Sequence, residues 1–153
     1  MTPQCVKEIL DSCILAKKIV ELLPPLPPGI KPRHIHVIDA VLTHYRMHGA
    51  SQVGDVSRAL GITMPSVTKL INELQAAGLL EKYGDAADKR AVFLRLTSKG
   101  FAYHRRYVED FHRDLAERFA ALDEADCEAA ARVLQTVYEQ MQLYVQEKGR
   151  VAK

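Results

Sequence analysis

The chain has no apolar run long enough to cross a membrane. Its start, MTPQCVKEIL, lacks the basic stretch followed by an apolar core that marks an export signal. A cytoplasmic protein with no membrane partner is the expectation. Cysteine is scarce: Cys5, Cys13 and Cys127 are odd in number and widely spaced, which excludes a disulfide framework or a zinc knuckle. The sequence also lacks a glycine-rich phosphate loop, an HExxH pair and a nucleophile elbow. No catalytic residue, metal site or cofactor is therefore expected, and an enzyme is not.

What is present belongs to a folded chain. With 153 residues, 48% hydrophobic and 26% charged, it can bury one sizeable core per subunit. The net charge of +2 conceals an uneven distribution. Gly29 to Arg106 holds 12 Lys/Arg against 6 Asp/Glu, whereas Tyr107 to Glu147 holds 3 against 10. A basic middle beside an acidic tail suggests that one region faces a polyanion.

Apolar spacing predicts the elements. Val6, Ile9, Leu10, Cys13, Ile14 and Val20 mark an amphipathic helix over Gln4–Leu23, ended by PPLPPG. A second helix is expected from Pro32 to Met47, with Ile35, Ile38, Val41, Leu42 and Tyr45 inward. Val53 to Leu60 makes a short third helix that Gly61 ends in a left-handed conformation. Thr63 is placed to cap a fourth, with Pro65 in its first turn. That helix buries Val67, Leu70, Ile71 and Leu74 and stops at Gly78.

Two short helices about a glycine turn read as a helix-turn-helix. Leu79, Leu80 and Tyr83 then read as a strand, GDAAD as a turn, and AVFLRL as the returning strand. Thr97 or Ser98 caps a long helix reaching Ala121, and Asp123 caps a last one from Glu124 to Glu147. The fold class is thus mostly α, an α+β winged helix of six helices and a two-stranded wing.

The major groove of double-stranded DNA admits one helix, and a reading helix needs short polar residues at its leading end. Ser66, Thr68 and Lys69 fit that need, and Asn72, one turn on, can reach a base or a phosphate. Lys89 and Arg90 on the wing suit a neighbouring groove edge or its phosphates. Asp88, two residues before Arg90, can hold the guanidinium in a fixed fork. The opposing reading of each is a solvated surface residue, and of Asp88 with Arg90 a surface ion pair worth about 0–1 kcal/mol.

The stretch SQVGDVSRALGITMPSVTKLINELQAAGLLEKYGDAADKRAVFLRLTSKG resembles the MarR family of bacterial winged-helix regulators. The resemblance rests on the turn at Gly61, VTKLINEL, GLLEK, the wing DAADKR and the closing LTSKG. It implies a homodimeric regulator of transcription, a repressor, with two lobes reading a palindromic operator. Within a single 1–153 subunit, residues 30–97 would form the DNA-binding lobe, and 1–29 with 98–153 the dimerisation region. Asp88 and Arg90 match the family's wing aspartate and arginine, and Ser66, Thr68 and Lys69 match positions of its recognition helix.

The layout supports a dimer independently. The first and last helices carry apolar faces with no large sheet to cover them, and pairing across a two-fold axis does so. Ile9, Cys13, Leu134, Val137, Met141 and Tyr144 are the candidates. The half-sites on DNA would then lie about 34–36 Å apart or a multiple of this.

By the same resemblance, a small aromatic or anionic effector would release the DNA, with Tyr45, Arg46, Tyr103 and Tyr107 as candidate lining residues. Those aromatics can equally be filler between lobe and dimer helices. Cys13, one turn from Lys17, is the candidate for a redox sensor, against an inert place in an apolar face. His44 and His48, at i and i+4, could supply half a metal site, as could His104 and His112, but no zinc motif completes either. A winged-helix module for protein contact is the remaining alternative.

Overall fold

The computed structural model describes residues 1–84 and 92–151, with side chains as far as Gly149. Residues 85–91, and with them Asp88, Lys89 and Arg90, lie outside the described residues. Six helical segments and one antiparallel ribbon follow the expected order: α1 Pro3–Glu21, α2 Pro32–His48, α3 Val53–Leu60, α4 Met64–Ala76, β1 Leu80–Gly84 and β2 Val92–Leu96. The long fifth helix, α5, spans 98–118 and has three parts: α-helical Ser98–His104, a π turn Arg105–Asp110, and α-helical Phe111–Arg118. The last helix, α6, is Glu124–Val151.

The chain divides into two compact units. Leu26–Glu117 is one; Met1–Pro25 and Arg118–Lys153 form the other. In the first, Val37, Ile38, Val41 and Leu42 of α2 meet Val56 of α3, Val67, Leu70, Ile71 and Leu74 of α4, and Leu79, Leu80, Leu94 and Leu96 of the ribbon. The three- and four-residue spacing along α2 and α4 puts these side chains on one stripe, and their burial is the main force holding the lobe together.

Three positive-φ glycines end helices where the sequence requires it. Gly49 closes α2, Gly61 closes α3, and Gly78 follows α4, with φ of 77°, 61° and 69°. The ribbon pairs Leu80 with Leu96 and Gly84 with Val92. Opposite partners share a face, so Leu80, Leu94 and Leu96 point to the core together. On the other face Glu81 holds Arg95 at 2.6 Å, and Tyr83 lies 5.5 Å from Phe93.

Several expectations need correction. Tyr45 is exposed, not inward, because α2 outruns the core and Val41 and Leu42 are its last buried residues. The stripe instead begins with His34 and Val37. Thr63 sits at the start of α4, but its hydroxyl meets Ser66 Oγ at 3.0 Å and caps no backbone amide. Its carbonyl does that work, accepting from Val67 N. The first strand begins at Leu80, since Leu79 N still donates to Leu74 O. The fifth helix ends at Arg118 and is interrupted by the π turn.

Other caps are as read. Thr97 Oγ1 accepts from Gly100 N at 3.1 Å, and Asp123 Oδ1 from Ala125 N at 2.7 Å. None of the described helices is long and apolar enough to cross a membrane.

Candidate nucleic-acid interface

The buried stripe of α4 leaves its opposite face outward. Ser66, Thr68, Lys69 and Asn72 are all exposed. Thr68, Lys69 and Asn72 line a shallow open depression with Met64, Pro65, Glu73 and Ala76, whereas Ser66 turns toward Thr63. Within about two turns, α4 thus carries hydroxyl, ammonium, amide and carboxylate groups on its outward side.

The ribbon reaches the same surface. Lys82 is opposite Leu94, on the core-facing side of the sheet, yet it stays exposed at the core's edge. Its ammonium donates to Asn72 Oδ1 at 2.9 Å. A lysine only donates, so this contact engages the Asn72 carbonyl and leaves its amide hydrogens to face outward.

Behind α4 stands a histidine that the apolar pattern did not single out for this place. His34 is 2% exposed. Its Nδ1 accepts from the Lys31 backbone N–H at 3.1 Å, so the ring proton is on Nε2, which donates to Glu73 Oε2 at 2.7 Å. That hydrogen bond is the main cause holding the Glu73 carboxyl below its ordinary value of 4.5; some desolvation opposes it, and the charges of Lys31 and Lys69 add to it.

A second buried histidine ties α5 to α2. His104, 4% exposed, has Nε2 3.0 Å from Asp39 Oδ1 and Nδ1 3.4 Å from Glu109 Oε1. In an α-helix, residues five apart point about 140° away from each other; a π turn aligns them. The π turn is what brings Glu109 over His104. Arg46 also meets Glu109, at 3.0 Å, and its hydrogen bond is the leading cause of the lowered Glu109 pKa.

Both carboxyls are depressed, so their unfolded forms bind protons first. The stability they contribute is present above the ordinary carboxylate value and is lost as pH falls through their lower folded values. Thermal melts from neutral pH downward should show Glu73→Gln and Glu109→Gln less stable than the parent at neutrality. Both should converge on it in acid. A constant gap at every pH would mean that neither carboxylate charge is used.

The other candidates are placed as follows. Tyr103 lies 5.4 Å from Tyr107, ring to ring, and packs against the core; Arg106 lies over Tyr107. Tyr45 is exposed and Arg46 is engaged by Glu109. Cys13 is half-buried on α1, and Lys17 pairs with Glu21 at 3.9 Å. His44 stacks on His48 at 4.3 Å and its Nδ1 meets Ala50 O at 2.8 Å. Among the described residues no group of three His, Cys, Asp or Glu is arranged to hold a metal ion.

Comparison with known proteins bears on the family and the fold. The family model described as "MarR family" matches residues 29–91. The HTH-type transcriptional regulator FarR of Neisseria gonorrhoeae is 30% identical over 77 residues, 50% of this chain and 50% of that protein, so the match spans half of this relative's length. FabT of Streptococcus pneumoniae, solved in complex with DNA, superposes with a TM-score of 0.65 at 25% identity, over 92% of this chain and 98% of that one. BpsR of Bordetella bronchiseptica, whose structure concerns regulation of DNA binding by 6-hydroxynicotinic acid, superposes with a TM-score of 0.61 at 24% identity, over 87% and 98%. At that identity the last likeness speaks for the fold alone.

Proposed function

We propose that this chain, whose residues 29–91 match the MarR family model, is a homodimeric repressor of transcription whose α4 enters the major groove of a palindromic operator. The observation that carries this reading is the outward face of α4. Thr68, Lys69 and Asn72 stand exposed along it while Val67, Leu70, Ile71 and Leu74 fix the helix from behind. Thr68 and the outward amide of Asn72 offer hydrogen bonds to base edges or phosphates; Lys69 offers a phosphate contact. Asp88, Lys89 and Arg90 follow β1 in the sequence and are assigned to the flanking groove, Arg90 as the contact and Asp88 as its guide.

The rest of the reading concerns assembly and control. An apolar surface on α1 and α6 favours a second copy of the chain. A small aromatic or anionic effector is the proposed signal, following the resemblance of the sequence to the MarR family. Tyr45, Arg46, Tyr103 and Tyr107 are its candidate contacts, and an anion at Arg46 would compete with Glu109.

Salt-dependent binding to duplex DNA tests the core of the proposal. Each phosphate contact contributes about 0.9 to the slope of log K against log salt. Lys69→Ala and Arg90→Ala should each lower that slope by about this amount per subunit, with unchanged melting temperature. A protein that binds duplex DNA with no salt dependence, or not at all, would instead be a winged-helix module for protein contact.

A further inference from the structure

The Glu73 carboxylate is out of place on a surface meant for DNA. It lies on the outward depression of α4, one turn after Lys69, and both line that depression. Residues four apart on a helix are neighbours, so a lysine and a glutamate at 69 and 73 are within reach of an ion pair. Lys69 already helps to lower the Glu73 pKa. Closing that pair would neutralise an ammonium assigned to a phosphate and leave a carboxylate facing the polyanion.

The structure directs Glu73 elsewhere. Its Oε2 is 2.7 Å from His34 Nε2 and 4.0 Å from Lys31 Nζ, both at the start of α2. The imidazole has one usable orientation, because Nδ1 is committed to the Lys31 backbone amide and only Nε2–H can donate outward. Its near-complete burial leaves water little access to compete for that donor.

We infer that His34 is a positioning residue for DNA binding: it draws the Glu73 carboxylate toward the start of α2 and so keeps the Lys69 charge available to a phosphate. This rests on the reading of Lys69 as a phosphate contact. The device spans 39 residues of sequence and uses a neutral imidazole, which removes the carboxylate from competition without adding a second buried charge.

Two isosteric replacements separate this role from simple support of the fold. Asparagine at 34 places an acceptor where Nδ1 stood and keeps the bond from Lys31, but cannot reach Glu73. Glutamine places a donor where Nε2 stood and keeps Glu73, but loses Lys31. Affinity for a mixed-sequence duplex of about three helical turns would be followed by fluorescence anisotropy over a salt series, beside the melting temperature.

His34→Asn should lower the salt slope by about 0.9 per subunit, as Lys69→Ala does, and adding Glu73→Gln to His34→Asn should restore it. His34→Gln should keep the parental slope whatever its effect on melting. If Lys69→Ala lowers the slope and His34→Asn does not, the positioning role is wrong while the DNA reading stands. A slope lost in His34→Asn but not regained with Glu73→Gln would reduce His34 to a structural residue and also overturn the inference. If Lys69→Ala itself leaves the slope unchanged, Lys69 is no phosphate contact and both readings fall.

Discussion

Gly100→Ala is expected to destabilise the protein by about 3 kcal/mol, at or above the top of the usual range for overpacking, and to lower its melting temperature by about 6–12 °C. Gly100 is the third residue of α5 and is buried. A methyl group there would lie 2.0 Å from the Leu79 carbonyl oxygen and 3.2 Å from the Leu96 Cβ. The first obstacle is backbone, and it cannot rotate away. It is also tied in place: Thr97 N donates to Leu79 O, Thr97 Oγ1 to Gly78 O at 2.7 Å, and Lys99 Nζ to Ala77 O at 2.8 Å.

Alanine would gain about 1 kcal/mol of helix propensity at position 100, which is smaller than the clash. Gly54→Ala is the control for sign. It too lies within a helix, but its nearest neighbour is the Arg58 guanidinium at an ordinary 3.8 Å, so propensity should win and stability should rise slightly. Thermal or urea melts of the two variants at equal protein concentration make the comparison. A neutral Gly100→Ala would mean that the start of α5 does not press on the turn between α4 and β1.

Gly100 also marks how far the sequence could be read. Its presence after a capping Thr97 was legible as the end of the LTSKG stretch, but the reason for it was not. The atom it must avoid belongs to Leu79, 21 residues earlier, and no local pattern encodes that approach. The same division runs through the lobe. Val67, Leu70, Ile71 and Leu74 announce their helix because burial repeats with the helical period, and Gly49, Gly61 and Gly78, all left-handed, announce the ends of α2, α3 and α4.

His34 and His104 gave no such signal, since each is defined by carboxylates distant in sequence or brought near by a π turn. Tyr45 shows the opposite error. It continued the inward period of α2 faithfully, but the helix is longer than the core it packs against. Periodicity states which face a residue shares, and only tertiary structure states whether anything stands opposite it. On α4 that distinction favours the functional reading: polar residues were expected outward and they are outward, while the acid among them became visible only with its histidine.

Leu134→Asp combined with Met141→Asp is expected to weaken self-association by more than about 100-fold, equivalent to about 2.7 kcal/mol. Two positions seven apart on α6 share one face of the helix, and both side chains are exposed in the single chain. The surroundings make that exposure informative. Among the described residues, nine exposed large hydrophobics lie in Met1–Pro25 and nine in Arg118–Lys153, against five in the whole of Leu26–Glu117. Neither α1 nor α6 has a buried side chain among those described.

If that surface faced water in the working protein, the substitutions would cost little beyond a few tenths of a kcal/mol of helix propensity each, because solvated positions tolerate charge. If it is covered by a second copy, each aspartate must be desolvated against apolar partners, and two-fold symmetry applies the penalty twice. Sedimentation equilibrium therefore separates the cases by a wide margin. A dimer persisting in the double variant would exclude this face of α6 from the interface. A monomer that still melts cooperatively but has lost most of its affinity for a two-half-site duplex would tie the apolar helices to DNA reading, since one lobe alone holds only half of the phosphate contacts.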